Sequence, residues 1–276
     1  MTVLTNAANP DQFELSDLLR IMERLRDPSD GCPWDTKQTF TSVIPHTLEE
    51  CYELVDAIEQ GDLPHVAEEL GDVLFQVIFY SELGREVGAF DFNSVVDGIA
   101  RKLLRRHPHV FADGAIEGRV FESVTTDTVK ANWEAIKRRE RGSSKQTNTL
   151  SDVPRALPGL SRAQKLQKKA AQVGFDFQTL DAVLGKLEEE MSEFQQAVID
   201  NANAAIEEEL GDLIFSAVNV ARHLGFDAEN VLRRANEKFT TRFNDMEAAA
   251  LAEGSSLSEE SSMQLEARWL SAKSRD

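Results

Sequence analysis

The chain carries an internal repeat. The segment "EELGDVLF" at 68–75 recurs as "EELGDLIF" at 208–215, and "EECYELVDAI" at 49–58 corresponds to "EEMSEFQQAV" at 189–198, each copy 140 positions further on. Nearer the end of each half the offset becomes 136, as Lys238 follows Lys102 and Trp269 follows Trp133. A constant spacing of acids, bases and a Trp indicates duplication of a structural unit. The sequence therefore predicts two homologous domains.

Both halves have the periodicity of α-helices. Leu48, Tyr52, Val55 and Ile58 recur at intervals of three to four residues, and no segment alternates as a strand would. Asp62 and the following Pro64 are typical of a helix start, so each half is predicted to hold a tight helical hairpin followed by further helices. In the first half one of these further helices should end before residue 108, and the corresponding helix of the second half should run from about 227 to 246. We predict an all-α fold of small bundles.

The joint between the halves is predicted from composition. Gly, Ser, Thr, Asn and Pro replace the apolar periodicity in "RERGSSKQTNTLSDVPRALPGL" at 138–160. This places the first domain at 1–147 and the second at 148–276.

Charge and composition exclude several classes of function. A formal net charge of -18 argues against binding the phosphate backbone of a nucleic acid. No apolar run approaches the roughly 20 residues that cross a bilayer, and the N-terminus lacks the pattern of a signal peptide. We therefore expect a cytoplasmic location and no membrane partner. Cys32 and Cys51 belong to no metal or C-x-x-C motif, which favours reduced, structural thiols.

Carboxylates recur at matching positions in the two halves. Within each helix the two acids lie about 60° apart and border the apolar stripe, so an antiparallel hairpin would bring both pairs together. Such carboxylates repel each other unless a cation neutralises them, and oxygen ligands suit Mg²⁺ or Mn²⁺. The predicted metal ligands are Glu50, Glu53, Glu69 and Asp72 in the first half and Glu190, Glu193, Glu209 and Asp212 in the second.

These acids have two other interpretations. A solvated acidic face is the usual explanation for a single helix, but surface acids should drift between copies. The four acids instead keep their type in both halves, while a nearby position changes from His65 to Ala205. A di-iron bundle would require Glu-x-x-His pairs, which these motifs lack. Gly71 and Gly211 are unfavourable within helices by about 1 kcal/mol relative to Ala. Either close helix packing or a role in the site could explain them.

Basic residues are also duplicated. Lys102 and Arg106, like Lys238 and Arg242, are one helical turn apart, which suits phosphate oxygens. Trp and Lys repeat that spacing, offering an aromatic plane for a base and another cation, at Trp133 with Lys137 and Trp269 with Lys273. The chain has neither a G-x-x-x-x-G-K-[ST] nor a G-x-G-x-x-G loop. A nucleotide would therefore be held by metal and side chains.

The segment "LRDPSDGCPWDTKQTF" at 25–40, the EExxE and EExxD motifs and "RRHPHVF" at 105–111 resemble the MazG family of nucleoside triphosphate pyrophosphohydrolases. The resemblance spans about 18–273. It implies tandem all-α domains with four-helix cores, usually assembled in a homodimer, and Mg²⁺-dependent cleavage of NTPs and dNTPs to the monophosphate and pyrophosphate. The implied roles are nucleotide-pool house-cleaning or regulation under stress.

Carried over to this chain, the resemblance adds further site residues. Glu189 and Glu208 would shape the pocket or take a proton from water, and Lys186 would join the nucleotide-binding set of Lys238, Arg242, Trp269 and Lys273. The first half would use Lys102, Arg106, Trp133 and Lys137, but His46 stands where the second half has Lys186. We therefore expect the second half to be the working site, and the first to be either a second active site or a duplicated scaffold.

Two alternatives remain open at the level of sequence. One is a helical repeat module that binds metal or nucleotide without turnover. The other is an all-α pyrophosphatase specific for a single dNTP. The "HPH" at 107–109 could be a metal pair, but its place beside Pro108 favours a structural turn.

Overall fold

The computed structural model describes residues 12–118, 125, 126, 128, 129, 132, 133, 136 and 148–274. Throughout these residues the regular elements are helices, and no strand occurs among them, which confirms the predicted all-α fold. No described helix is long and apolar enough to cross a membrane. Both cysteines are free.

The chain divides into two compact units, Met1–Arg141 (unit 1) and Gly142–Asp276 (unit 2). The predicted domain boundary at 147/148 stays a prediction. In unit 1 the described α-helices are α1 Leu15–Leu25, α2 Ile44–Gln60, α3 Leu63–Glu86 and α4 Phe92–Arg106. In unit 2 they are α5 Gly159–Ala171, α6 Leu180–Ile199, α7 Asn203–His223, α8 Ala228–Ala252 and α9 Ser262–Lys273.

A tight helical hairpin forms the centre of each unit. In unit 1, α2 ends at Gly61, whose φ of 73° is the left-handed conformation that favours glycine, and the Asp62 side chain accepts from the His65 backbone N–H at 3.3 Å. In unit 2 the turn between α6 and α7 uses Asn201 at φ 53°, and no side chain caps α7 at Ala202. The same hairpin is thus closed by different turn chemistry.

The core of unit 1 packs α1 against α3. Met22, Val43, Ile78, Phe79 and Leu83 are buried together. Burial of such side chains is the main stabilising contribution to a small helical unit.

Hydrogen bonds from Arg26 hold the segment that follows α1 in place. Its guanidinium donates to both carboxylate oxygens of Glu86 at 2.7 Å, to the carbonyl of Gln38 at 3.3 Å and to the carbonyl of Asp35. The hydrogen bond from Arg26 also holds the pKa of Glu86 below its usual value. The "DPSDGCPWD" stretch is therefore an ordered connection rather than a loose loop.

The predicted helix ends are partly correct. α4 ends at Arg106, before Pro108, and the turn at 107–110 has the His107 Nδ1 2.8 Å from the Leu103 carbonyl. α8 begins after an Asp227 cap as predicted, but the predicted end at Met246 is wrong, since the helix continues to Ala252. The alanines at 248–250 favour helix, and the turn comes only at Gly254, with φ 76°.

Candidate functional site

The acids of unit 1 converge as the hairpin requires. Ligand oxygens of Glu50 from α2 and of Glu69 and Asp72 from α3 lie within 4.8 Å of one another. Glu53 lies outside this group, on the exposed side of α2, but its charge acts on Glu50. Burial raises the pKa of the Glu50 carboxyl, and the charges of Asp72, Glu53 and Glu69 raise it further.

Unit 2 also has a group of three converging acids, but one of the three stands at a different position from that in unit 1. Oxygens of Glu190, Glu193 and Glu209 lie within 4.8 Å of one another, with Glu190 buried and Glu209 half-buried. Burial raises the pKa of Glu209, and Glu193, Glu190 and Asp212 raise it further through their charges. Asp212 is therefore close to the group, although it lies outside the 4.8 Å set. In each unit three of the four predicted ligands form a tight group and the fourth lies beside it.

These acids fit a hard divalent cation. Glu69 Oε1 lies 2.9 Å from His65 Nε2, but Glu69 Oε2 is buried and has no hydrogen-bond partner within the described chain. A buried carboxylate oxygen without a donor is costly, and here its neighbours are the carboxylates of Glu50 and Asp72. A cation bound by the three acids would satisfy that oxygen and remove the repulsion.

Lys186 partly neutralises the acids of unit 2. Its Nζ lies 2.8 Å from both Glu189 Oε1 and Glu190 Oε1, and these contacts raise the pKa of the ammonium group. In unit 1 the corresponding residue is His46, whose Nδ1 lies 3.6 Å from Glu49 Oε2. Glu208 is exposed and makes no ion pair among the described residues.

The remaining predicted residues fall into aromatic and cationic pairs. Arg242 lies 5.7 Å from the ring centre of Trp269, and Arg106 lies 5.8 Å from that of Trp133. Trp269 also contacts Phe239, at 5.3 Å between ring centres. The ammonium groups of three predicted residues are exposed and pair with no acid of the described chain: Lys102, Lys238 and Lys273. Lys137 lies outside the described residues.

The glycines beside the acids are not explained by close packing within a unit. A Cβ added at Gly71 or Gly211 would meet no described atom within 4 Å. Close helix packing within a unit, one of the two explanations considered from the sequence, is therefore wrong. Both glycines are exposed one residue before the aspartates Asp72 and Asp212, which leaves space beside the acid groups.

Unit 2 contains a cavity that the sequence analysis does not predict. It has a volume of about 580 Å³ and lies between α5, the 174–177 segment and α7, with Leu166, Phe177 and Phe215 among its apolar walls. Asn219 also lines it, seven residues after Asp212, so both residues lie on one side of α7. The available signal was that Asn219 corresponds to Phe79, a polar residue replacing an apolar one in otherwise matching helices.

An ion pair at the edge of this cavity yields a prediction of pH dependence. Hydrogen bonds from Arg222, and then from His223, lower the pKa of Asp176 to about 2. The folded pKa is below the unfolded one, so the stabilisation is present above pH 4 and is lost as the pH falls towards 2. At full strength it contributes about 2 kcal/mol. Urea unfolding of Asp176→Asn should show that the deficit of the variant is about 2 kcal/mol larger at pH 6 than at pH 2.

That measurement needs a signal from unit 2 alone. Replacing Trp34 and Trp133 by Phe leaves Trp269 as the single tryptophan of the chain, so its fluorescence follows unit 2. A deficit that does not change with pH would contradict the assignment of this pair.

Comparison with known proteins gives the family. The model of the "MazG nucleotide pyrophosphohydrolase domain" matches twice, at 38–111 and 178–246, so each match contains one acid group. The chain is 51% identical over 245 residues to "Nucleoside triphosphate pyrophosphohydrolase" of Escherichia coli (strain K12), covering 87% of this chain and 90% of that protein.

Two further relatives are similar over almost the whole chain. "Nucleoside triphosphate pyrophosphohydrolase/pyrophosphatase MazG" of Thermotoga maritima is 41% identical over 260 residues, covering 94% of this chain and 96% of that protein. "Uncharacterized protein YabN" of Bacillus subtilis (strain 168) is 41% identical over 261 residues, covering 94% of this chain and 52% of that protein. With the family model matched in both units, the chain belongs to the MazG nucleotide pyrophosphohydrolase family.

Proposed function

We propose that unit 2 hydrolyses nucleoside triphosphates to the monophosphate and pyrophosphate, with Mg²⁺ held by Glu190, Glu193, Glu209 and Asp212. The chain is a nucleoside triphosphate pyrophosphohydrolase, the activity named for relatives that match nearly its full length. The observation that carries the assignment to unit 2 is the combination of a convergent acid group with a cavity that has apolar walls and is large enough for a nucleoside.

The described residues suggest a division of roles. A bound divalent cation supplies charge neutralisation at the phosphates and makes water more acidic. Glu208 is the better placed of the two candidates to take a proton, because Lys186 already forms an ion pair with Glu189, whereas Glu208 is exposed and pairs with no base of the described residues. Lys238 and Lys273, exposed and unpaired within the described chain, are available to the polyphosphate together with Arg242.

The nucleoside would enter the cavity of unit 2. Its apolar walls suit a flat base, and Asn219 places this cavity on the same side of α7 as Asp212. In unit 1 the buried ring of Phe79, 2% exposed, stands at the position of Asn219. A cavity of about 490 Å³ lies beside Thr36 and Glu82, the counterparts of Asp176 and Arg222, but its walls are mostly charged side chains, which suit a base less well. The acid group of unit 1 is then a second metal site whose contribution to turnover is smaller.

A homodimer is the proposed assembly. Leu210 and Ile214, one turn apart on α7, are 43% and 48% exposed, and their counterparts Leu70 and Leu74 are exposed in unit 1. An apolar stripe repeated on both hairpins supports burial against a second copy. Light scattering should give twice the chain mass of 30.8 kDa, and a chain that stays monomeric would contradict this assembly. The cytoplasmic location stays a prediction.

The first test of the function is product analysis. With ATP and Mg²⁺ the chain should release AMP and pyrophosphate in equal amounts, and a chelator should stop the reaction. Asp212→Asn should lower pyrophosphate release by at least about 100-fold, because it removes a predicted metal ligand. Asp181→Asn, the same change at an exposed position of α6, is the control. ADP and phosphate as products, or undiminished turnover by Asp212→Asn, would refute the proposal.

A further inference from the structure

Arg222 is the centre of a hydrogen-bonded chain at the wall of the unit 2 cavity. Its Nη1 donates to Asp176 Oδ2 at 3.0 Å, and its Nη2 donates to Asp176 Oδ1. Its Nε and Nη2 also donate to Asn219 Oδ1, at 3.0 and 2.7 Å. His223 Nε2 lies 3.1 Å from Asp176 Oδ1. Asp176, Arg222 and Asn219 all line the cavity.

These contacts fix the orientation of the Asn219 amide. A guanidinium can only donate, so the amide atom that faces Arg222 must be the oxygen. The amide nitrogen then points away from Arg222 and makes no hydrogen bond to any described residue. Asn219 therefore presents its amide nitrogen as a donor. A flip of the amide that exchanged its nitrogen and oxygen would break both hydrogen bonds from Arg222.

Asp176 maintains this arrangement. The Arg222 and Asp176 side chains are only 14% and 25% exposed, so the guanidinium depends on this carboxylate for its counter-charge. Asp176 belongs to the 174–177 segment, which forms one wall of the cavity and turns at Gly174 with φ +90°. Removing the carboxylate would free Arg222 to turn towards water and release the amide of Asn219.

The hairpin itself does not require this chain. In unit 1 the residues at the positions of Asn219 and Arg222 are Phe79 and Glu82. Phe79 is buried in the core, and Glu82 accepts from Arg85 at 2.8 Å, so the corresponding charge is reversed. Unit 1 forms the same hairpin without the three residues, which points to a role beyond folding.

We propose that Asp176 is a positioning residue: through Arg222 it holds Asn219 so that the amide nitrogen donates to an acceptor atom on the base of a nucleotide in the cavity. The ligand is thereby a nucleobase that presents a ring nitrogen or a carbonyl oxygen to α7. This inference rests on the proposed function and concerns how tightly the base is held, not the bond that is cleaved.

The test compares two substrates on the full chain. ATP carries a base, whereas ribose 5-triphosphate has the same sugar and phosphates without one. Asp176→Ala should raise KM for ATP roughly tenfold, the value of one lost hydrogen bond, and leave kcat within about twofold. KM for ribose 5-triphosphate should not change, which a general loss of structure could not produce.

A second variant covers the case in which Asp176→Ala does not fold. Asn219→Asp keeps an oxygen for Arg222 to bind but replaces the amide nitrogen by an acceptor, so KM for ATP should again rise while that for ribose 5-triphosphate stays constant. Equal rises for the two substrates, unchanged KM for ATP, or equal KM values for the two substrates in the unsubstituted chain would overturn the proposal. If the unsubstituted chain released no pyrophosphate from ATP, the proposed function itself would be wrong.

Discussion

Glu190→Gln is expected to reduce pyrophosphate release by the whole chain at least about 100-fold. Glu190 is 6% exposed and belongs to the convergent acid group of unit 2, so the isosteric amide removes a charged ligand without creating a cavity. The loss should appear in kcat. The variant should still fold, because the relief of repulsion from Glu193 and Glu209 in the absence of metal offsets the loss of the Lys186 ion pair. Steady-state kinetics with ATP and Mg²⁺, together with a thermal melt in chelator, measure both effects.

The repeat supplies the matched comparison. Glu50→Gln makes the same change at the corresponding position of unit 1, where we expect a much smaller loss of activity. Glu207→Gln, at an exposed position of α7, controls for the change in net charge. Equal losses from the Glu190 and Glu50 variants would show that both units turn over substrate, and a larger loss from Glu50→Gln would reverse the assignment of the working site.

Phe79→Ala should lower the free energy of unfolding of unit 1 by about 3–5 kcal/mol. The ring is 2% exposed, packs edge-on against Phe75 and lies under the Arg26 guanidinium at 5.2 Å. Truncation removes buried apolar surface and leaves a void between α1 and α3. Urea unfolding followed by the fluorescence of Trp34, with Trp133 and Trp269 replaced by Phe, would report on this unit.

The control is the corresponding change in unit 2. Asn219→Ala removes an amide that accepts two hydrogen bonds, and it should cost only about 1 kcal/mol because Asn219 fills no core. This variant is followed by the fluorescence of Trp269. Similar costs at the two positions would contradict the interpretation that Phe79 fills a core position in unit 1 whose counterpart in unit 2 lines the cavity.

The acid groups could be predicted because their geometry follows from helical periodicity alone. Glu50 and Glu69 each border an apolar stripe, and a tight hairpin leaves few ways for the two helices to pack. The repeat then supplied the comparison that separates retained acids from drifting ones. The split into three converging acids and a fourth beside them depends on side-chain conformation, which periodicity does not determine.

Other features depend on contacts that a linear pattern does not contain. The end of α8 was placed too early because an alanine run extends a helix without an apolar stripe to mark it. A helical glycine such as Gly71 often indicates a crowded backbone, yet a Cβ added there would meet no described atom within 4 Å apart from its chain neighbours and its own helix backbone. The cavity was missed because it depends on the 174–177 segment lying against α7, which the Asp176–Arg222 pair secures.

The contrast between Phe79 and Asn219 bears on how a duplicated gene diversifies. A cavity inside a small helical bundle loses dispersion contacts, so a single domain that opens a ligand pocket does so at the expense of its packing. Tandem copies relax that constraint. One copy can keep a filled core at this position while the other opens a pocket, and the stability lost in the open copy is tolerated as long as the chain as a whole remains folded.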